Sequence, residues 1–337
     1  MKRNAVDGLF TKPSRLFRVD FEALRVYFII RFKELPANVT SQEESVALRR
    51  GIVMKIKIWG CRGSIATPGA DTIRYGGNST CLEIRSAEGQ VFVVDAGSGI
   101  RNLGKALQRE SEISEIRFFF THSHWDHLVG FPFFEPAYSD RFTITFCSGA
   151  HAESSIRRYV SRQMKAPYFP VDFRQLKARF NFCCENPTME SRNCRLGSMQ
   201  CRAFRLSHPN GGHGYKFIER GKTLVFLPDN ELGFRHDGGL TRDQYVELCR
   251  GAELLLHDAQ YTDEEYQRTR CWGHSTYMDA VNLAIEAGVK RLGLFHHDPD
   301  RTDDDLDRQV DLCRKHILKS GSPVDCFSCA EGMVIDL

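Results

Sequence analysis

The sequence predicts a mixed α+β fold, and two patterns along the chain support this class. Short alternating or apolar runs typical of strands recur from residue 54 onward, beginning with Met54–Trp59, where apolar and polar residues alternate. Helical spacing occurs between such runs, most clearly over 276–287, where alanine and leucine residues fall on one face. The chain has 337 residues, 42% of them hydrophobic, which is enough for a substantial core.

The predicted elements follow one another as a strand, a hairpin, a helix and a series of buried strands. A turn at 87–89 separates two strand-type runs and therefore indicates a hairpin over 81–94. Helical spacing follows over 100–110, and again over part of 151–180. The remaining apolar runs are short and bounded by polar residues, which is typical of buried strands; they cover 116–121, 142–146, 224–227, 254–256 and 292–295.

Residues 1–53 differ from the rest of the chain, because short apolar runs alternate there with basic residues without a sustained period. We predict an N-terminal extension over 1–53, poorly ordered or packed on the surface, and one domain over 54–337. In the alternative interpretation, Met54 is the true start and 1–53 is an over-extended reading of the gene. No run reaches the roughly 18 apolar residues of a membrane helix, and no export signal is recognisable. With twelve scattered cysteines, these features favour a cytoplasmic protein with reduced thiols.

The formal net charge of +3 is unevenly distributed along the chain. A basic insert at 151–205 carries a net charge of +7, whereas 206–337 carries −8. This distribution argues against a uniformly basic nucleic-acid-binding surface. The basic insert suits a rim that attracts a phosphorylated or nucleotide substrate, but it equally suits a solvated face or the contact of a homodimer.

A dense group of potential metal ligands follows the strand predicted over 116–121. His122, His124, Asp126 and His127 fall within six residues, and each would need a polar partner if it were buried in a core. Imidazole and carboxylate are donors that zinc, manganese and iron prefer. His122 and His124 lie two residues apart and can share one ion, while Asp126 and His127 can reach a second ion. The spacing therefore predicts a metal site.

This run matches the His-x-His-x-Asp-His signature of the metallo-β-lactamase superfamily, which the chain resembles from Met54 to about Pro299. Ser207-His208-Pro209, Pro228-Asp229-Asn230 and Phe295-His296-His297 resemble the later ligand positions of that superfamily. The resemblance implies a four-layer αββα metallo-β-lactamase sandwich with two divalent metal ions at one edge of its sheets. It implies a first ion at His122, His124 and His208, a second ion at Asp126, His127 and His296, and Asp229 as the bridging ligand.

The last ligand is either His296 or its neighbour His297. In the ribonuclease Z branch, this strand ends with a histidine followed two residues later by a polar residue and a proline. In this chain Asp298 and Pro299 occupy those positions, so the resemblance favours His296. His297 is left as an alternative that supports the ligand or exchanges roles with it.

Two further segments resemble the phosphodiesterase branch that includes ribonuclease Z and the cyclic-nucleotide phosphodiesterases. They are Gly273-His274-Ser275-Thr276, just before the helix over 276–287, and Leu256-His257-Asp258 upstream. In that branch the histidine faces the scissile phosphate, and a helix N-terminus favours an anion. The resemblance implies catalytic roles for His274, Asp258 and Asp126, with Asp258 orienting His274. A capping turn with an incidental histidine is the alternative.

We therefore predict a binuclear metal-dependent hydrolase that acts on a small nucleotide-type or cyclic phosphodiester. Two divalent ions, zinc in the first place and manganese or iron as alternatives, would lower the pKa of the attacking water. An ester, thioester or lactone hydrolase on the same centre and a non-catalytic nucleotide sensor are the competing interpretations. Because the Gly/Pro-rich arm by which ribonuclease Z grips tRNA is not evident, the sequence disfavours tRNA as a partner, and no membrane partner is expected.

Overall fold

The computed structural model describes residues 54–147, 152–183 and 193–337. The extension predicted over 1–53 lies outside these residues, as do residue 151 and residues 184–192 of the basic insert. No helix in the described ranges combines the length and apolar character that crossing a membrane requires.

Fourteen strands of the described chain form two seven-stranded sheets. The first sheet contains, in spatial order, β14 (Val334–Asp336), β1 (Met54–Gly60), β2 (Cys81–Ser86), β3 (Val91–Val94), β4 (Glu115–Phe119), β5 (Thr143–Cys147) and β6 (Arg179–Cys183). The second sheet contains, in spatial order, β13 (Asp325–Ser328), β12 (Arg291–Phe295), β11 (Leu254–Asp258), β10 (Lys222–Leu227), β9 (His213–Glu219), β8 (Met199–Arg205) and β7 (Asn193–Leu196).

Helices connect the strands and pack on the sheets. In chain order they are α1 (Ile100–Arg109), α2 (Trp125–Leu128), α3 (Ala152–Gln163), α4 (Arg242–Cys249), α5 (Asp263–Thr269), α6 (Tyr277–Ala287) and α7 (Asp303–Ser320). The helix predicted over 276–287 is α6, and its limits have local causes. The Thr276 side chain accepts a hydrogen bond from the Asp279 backbone N–H at the start, and Gly288 adopts a left-handed conformation at the end.

Three clusters of buried apolar side chains separate the layers. One lies between the two sheets and includes Ile56, Phe92 and Phe226. A second packs side chains of the second sheet against α4, α6 and α7. A third, rich in phenylalanine, packs the first sheet against α1 and the segment that follows α2. Helices therefore cover the outer face of each sheet, and the predicted four-layer αββα sandwich is confirmed.

Each sheet contains four consecutive parallel strands, β3 to β6 in the first and β10 to β13 in the second. Parallel strands point the same way, so the loops that follow them gather at one edge of the sheet. The predicted ligand residues follow β4, β10 and β12 in this manner. The topology thus brings segments far apart in sequence to a common edge.

The basic segment 151–205 is partly built into the sheets. Its first portion forms α3 on the outer side of the first sheet, where Val160 and Met164 are buried among that layer's apolar residues. Its later portion supplies β6 to the edge of the first sheet, and β7 and β8 to the edge of the second. The segment is therefore the crossing between the two sheets as well as a surface element.

Candidate metal centre and active site

The loop after β4 carries the first group of polar side chains. Asp95, which follows β3 directly, anchors this loop: it accepts hydrogen bonds from the Thr121 backbone N–H and hydroxyl, both at 2.7 Å. The chain then turns into the short helix α2, on which Asp126 and His127 are buried. The Ser64 backbone N–H donates to Asp126 Oδ2 at 2.9 Å. The loop is held by the neighbouring strand end rather than left free.

The second sheet contributes its polar side chains one strand end at a time. His208 follows β8, Asp229 follows β10 and His296 follows β12. His296 has a left-handed backbone with φ of 58°, which turns its side chain out of the strand direction at the sheet edge. All three residues are almost completely buried.

The structure brings all seven side chains predicted as ligands into two adjoining groups. The donor atoms of each group lie within 4.8 Å of one another; the groups are His122, His124 and His208, and Asp126, His127, Asp229 and His296. Asp229 lies between them: its Oδ1 is 3.1 Å from His127 Nε2, and its Oδ2 is 3.6 Å from His122 Nε2. A position shared by both groups is what a bridging ligand requires.

The inward-facing atoms of this cluster fit divalent metal ions. His122 Nε2, His127 Nε2 and Asp229 Oδ1 are buried without a hydrogen-bond partner among the described residues. Unpartnered buried polar atoms are costly, and coordination to a cation satisfies them. Imidazole nitrogen and carboxylate oxygen are also suitable donors for such ions.

Three of the cluster histidines are hydrogen-bonded through their outer Nδ1 atoms, which directs their Nε2 atoms inward. His127 Nδ1 donates to Asp95 Oδ2 at 2.8 Å, and His208 Nδ1 donates to the Gly273 carbonyl at 2.9 Å. His296 Nδ1 donates to Gln260 Oε1 at 3.0 Å. Such bonds hold ring and tautomer in the state that a metal ligand needs.

Electrostatics at the site favour positive charge. Burial lowers the pKa of His127, but the carboxylates of Asp126, Asp229 and Asp95 outweigh burial and raise that pKa well above its ordinary value. Burial, aided by the neighbouring His274 and His124 rings, lowers the pKa of His208 to about 3, which leaves its imidazole neutral and able to coordinate. The three carboxylates that raise the pKa of His127 form, together with the imidazoles, a site that attracts cations.

His274 and Asp258 form a pair directly beside this cluster. His274 Nδ1 donates to Asp258 Oδ2 at 2.6 Å, and the Asp258 carboxylate also accepts the Gln260 backbone N–H. The His274 ring stacks on the His296 ring with centroids 4.9 Å apart. Burial lowers the pKa of His274, but the Asp258 carboxylate, together with the Asp229 and Asp126 carboxylates, outweighs burial and raises it to about 9. The ring therefore holds a proton near neutral pH.

His297 points away from the cluster that its neighbour His296 joins. Its Nε2 donates to the Cys329 carbonyl at 2.8 Å, and burial lowers its pKa to about 3. His296 Nε2, by contrast, lies 3.2 Å from both Asp126 Oδ2 and Asp229 Oδ2. Of the two adjacent histidines, the structure places His296 among the candidate ligands.

Sequence reasoning missed three residues that support the site. Asp95 and Gln260 hold the outer nitrogens of His127 and His296, and Asp95 directly after a buried strand was the available signal. Glu231 is buried and accepts the backbone N–H groups of Cys271 and Gly273, both at 2.8 Å. It shapes the loop before His274, and no pattern in the sequence pointed to it.

A cavity of about 410 Å³ opens beside His274. Its walls come from the loops after β1, β11 and β12 and from α5, and they include Ser64, Gln260, Tyr261, Arg268, Trp272 and Asp298. Because His274 forms part of the same wall, a molecule bound there would contact the residues that adjoin the cluster.

Comparison with known protein families shows which family the chain belongs to. Residues 90–297 match the family described as the Beta-lactamase superfamily domain. The chain belongs to this family. It is 26% identical over 260 residues to the Ribonuclease Z of Lacticaseibacillus casei, covering 65% of this chain and 78% of that relative. It is 25% identical over 273 residues to the Ribonuclease Z of Brevibacillus brevis, covering 71% and 85%.

Solved structures show the same metallo-β-lactamase fold. A metallo-β-lactamase fold protein from Bacillus subtilis superposes with a TM-score of 0.60 at 16% identity, over 85% of this chain and all of that chain. The short form of human tRNase Z superposes with a TM-score of 0.56 at 20% identity, over 83% and 98%. The metallo-β-lactamase superfamily member described here is a metal-dependent hydrolase that uses divalent ions.

These relatives correct one expectation. The view that tRNA is a disfavoured partner is wrong, because the curated relatives are named Ribonuclease Z and one solved neighbour is a tRNase Z. That view rested on the absence of an arm alone. All seven candidate ligands come together without such an arm, so a missing arm does not exclude an RNA substrate.

Proposed function

We propose that this metallo-β-lactamase superfamily protein is a phosphodiesterase that cleaves nucleotide-type phosphodiesters at a binuclear metal centre. The observation that carries the proposal is the His274–Asp258 pair, hydrogen-bonded at 2.6 Å beside the candidate ligands and in the wall of the cavity. A protonated imidazole at this place suits an anionic phosphate better than a neutral ester. The Ribonuclease Z relatives support the same substrate class.

The candidate ligands divide between two ions. One ion would be held by His122, His124 and His208, and the other by Asp126, His127 and His296, while Asp229 would contact both ions. Because most of these ligands are imidazoles, zinc is favoured over manganese or iron. When bound, two divalent ions supply positive charge and a water of lowered pKa at the reacting phosphorus. The hydrogen bonds from Asp95, Gly273 and Gln260 keep the ligand rings oriented for this purpose.

His274 supplies the proton chemistry in this proposal. Asp258 fixes the tautomer by accepting the Nδ1 proton, so Nε2 is the atom free to face the substrate. A ring nitrogen of His274 lies within 4.8 Å of the donor atoms of His208 and Asp229, close to where the phosphate would lie. With its pKa raised to about 9, His274 can neutralise charge on the phosphate and donate a proton to the leaving oxygen.

Metal-dependent turnover of bis(p-nitrophenyl) phosphate tests the proposal directly. We expect activity in the metal-loaded protein, its loss on treatment with a chelator, and its return when divalent ions are added. A panel of cyclic nucleotides, dinucleotides and short RNAs, with metal analysis, then narrows the substrate. If carboxylic esters, thioesters or lactones turn over while no phosphodiester does, the alternative hydrolase replaces this proposal.

The His274→Ala variant tests the assigned division of labour. We expect both metals to remain and kcat to fall by roughly 10²- to 10⁴-fold, the usual effect of losing one acid–base or charge-stabilising group. The fall in kcat should be smaller for substrates whose leaving group is p-nitrophenolate, because a good leaving group needs little protonation. Asp258→Asn should produce a weaker effect of the same kind.

His316→Ala is the matched control, since His316 is a half-buried histidine on α7 whose side chain bonds to Asn282 and touches no candidate ligand. It should leave metal content and kcat unchanged. Loss of a metal in His274→Ala would make His274 a ligand, and unchanged rates on every phosphodiester would contradict its proposed role.

A further inference from the structure

A row of exposed apolar side chains begins at the loop that carries the first candidate ligands. Trp125, Val129 and Phe133 follow one another at intervals of four residues along α2 and the short helix after it. Their exposed fractions are 69%, 40% and 55%, although residues between them, such as Leu128 and Phe131, are buried. Large apolar side chains repeatedly turned outward beside a candidate active site indicate an interaction surface.

The row continues onto the segment after α3. The Phe133 ring meets the Phe169 ring edge-on, with centroids 5.6 Å apart, and the residue before Phe169, Tyr168, is 81% exposed. Gln163 at the end of α3 donates to the Leu128 carbonyl at 3.0 Å, which fixes α3 against α2. Aromatic side chains from two separate segments therefore form one surface.

Basic side chains lie on the same stretch of chain as Tyr168 and Phe169, whose backbone N–H groups both donate to the Lys165 carbonyl. Arg158 and Arg162 are one helical turn apart on α3, and Lys165 follows just after its end. All three are exposed, because Val160 and Met164 on the opposite side of the helix are the ones buried. None of the three forms a salt bridge with a described residue. Residues 158–182 contain six Lys and Arg and a single acidic residue, so this segment carries a net positive charge.

Aromatic side chains for stacking, combined with lysine and arginine for phosphates, are the pattern by which proteins hold single-stranded nucleic acid. We propose that the surface formed by Trp125, Phe133, Tyr168, Arg162 and Lys165, here called the aromatic–basic surface, binds a single-stranded nucleic acid that continues beyond the scissile phosphodiester. Trp125 directly precedes the candidate ligand Asp126, so the surface adjoins the candidate metal centre. The inference therefore rests on the proposed function, in which that centre cleaves the phosphodiester. The positive charge favours this occupant over a second copy of the chain.

Fluorescence anisotropy with a labelled twelve-nucleotide oligoadenylate, whose intactness is checked afterwards, tests the inference on the metal-loaded full chain. Replacing Arg162 and Lys165 together by Gln should weaken binding. The slope of log affinity against log salt should also flatten by about 1.4, since each lost phosphate contact on a single strand contributes about 0.7. Tyr168→Ala should weaken binding roughly fivefold or more without changing that slope, because it removes stacking and not charge.

The matched control replaces Lys315 and Lys319, two exposed lysines one turn apart on α7 in the opposite layer, by Gln. Leu318→Ala serves the same purpose for Tyr168→Ala, since Leu318 is 80% exposed on the same helix. Both controls should bind the oligonucleotide as the unaltered chain does. Equal losses in the two charge variants would mean that net charge alone acts, which would overturn the inference.

Two further readouts separate the remaining outcomes. Sedimentation of Phe133→Glu and Tyr168→Glu tests the competing occupant: a dimer that dissociates while oligonucleotide affinity stays the same would make the surface a contact between two copies. Turnover of bis(p-nitrophenyl) phosphate, which is too small to span the surface, reports on the metal centre independently. If all variants turn over bis(p-nitrophenyl) phosphate and also bind the oligonucleotide as the unaltered chain does, the inference about the surface is wrong and the proposed function stands. If no phosphodiester is turned over at all, the proposed function itself is wrong.

Discussion

The two sheets contribute to the candidate metal centre in different ways. The first sheet provides four side chains from one loop, His122 to His127, which follows a single strand. The second sheet provides His208, Asp229 and His296 from the ends of three strands, separated by 21 and 67 positions in the sequence. The first contribution is local in sequence, and the second exists only once the parallel strands are assembled.

The two sheets also differ in the groups that hold the ligands in place. On the first sheet, Asp95 from the adjacent strand end fixes both the Thr121 backbone and the His127 ring. On the second sheet, the Gly273 carbonyl and the Gln260 side chain each hold one ring. A charged residue anchors the compact loop, and neutral groups suffice for ligands already placed by strand ends.

The largest effect should come from removing one ligand of each sheet. His122→Ala and Asp229→Ala should both lose metal, and activity should fall to the background rate, because both side chains belong to the shared cluster. Metal analysis and turnover on the same samples measure this. If Asp229→Ala keeps two ions, the loop of the first sheet is sufficient and the bridging role of Asp229 is wrong.

The two adjacent histidines that follow β12 should respond very unequally to substitution. His296→Ala should lose metal, whereas His297→Gln should retain it, because only His296 faces the carboxylates. Loss of the buried His297 ring, which packs edge-on against the Tyr75 ring, should instead lower the free energy of unfolding by about 0.5–3 kcal/mol. Metal content and denaturant unfolding distinguish the two; metal loss in His297→Gln would reopen the assignment.

Smaller effects should follow from removing the groups behind the ligands. Asp95→Asn and Gln260→Leu should reduce metal affinity by roughly 10- to 100-fold, the usual consequence of losing such a partner. Asp95→Asn should have the greater effect, since it removes the charge that holds a whole loop. Gln309→Leu is the control, because Gln309 makes a comparable buried bond to the Ala259 carbonyl without touching a candidate ligand. Competition with a metal indicator measures all three affinities.

The smallest effect should come from removing the N-terminal segment. We expect residues 54–337 expressed alone to be soluble, to bind metal and to retain turnover, because strand and motif patterns begin at Met54. Comparison of this shortened chain with the full chain in metal content and kcat is the measurement. An insoluble or metal-free product would show that 1–53 is part of the folded domain.

Much of the fold could be predicted because its signals are local. The alternation in Met54–Trp59, the hairpin over 81–94 and the helix over 276–287 all match elements of the structure to within a few residues. The predicted boundaries of the buried strands were less accurate. β10 begins at Lys222 rather than at 224, and β11 extends to Asp258 rather than to 256. Polar residues end the apolar run in the sequence, but pairing with a neighbouring strand extends the strand through them. The sheet-building role of 179–196 was not predicted, because edge strands depend on distant partners.

The sequence by itself determined the metal chemistry of this protein, since four potential ligands within six residues indicate an ion wherever the loop lies. It also determined the superfamily, through the spacing of the later motifs. Only the tertiary structure placed His296 rather than His297 among the carboxylates, and only it brought Asp95, Gln260 and Glu231 to the site. The reason is physical: composition and spacing specify which atoms can bind, whereas ring direction and hydrogen-bond partners depend on strands that meet only in the folded sheets.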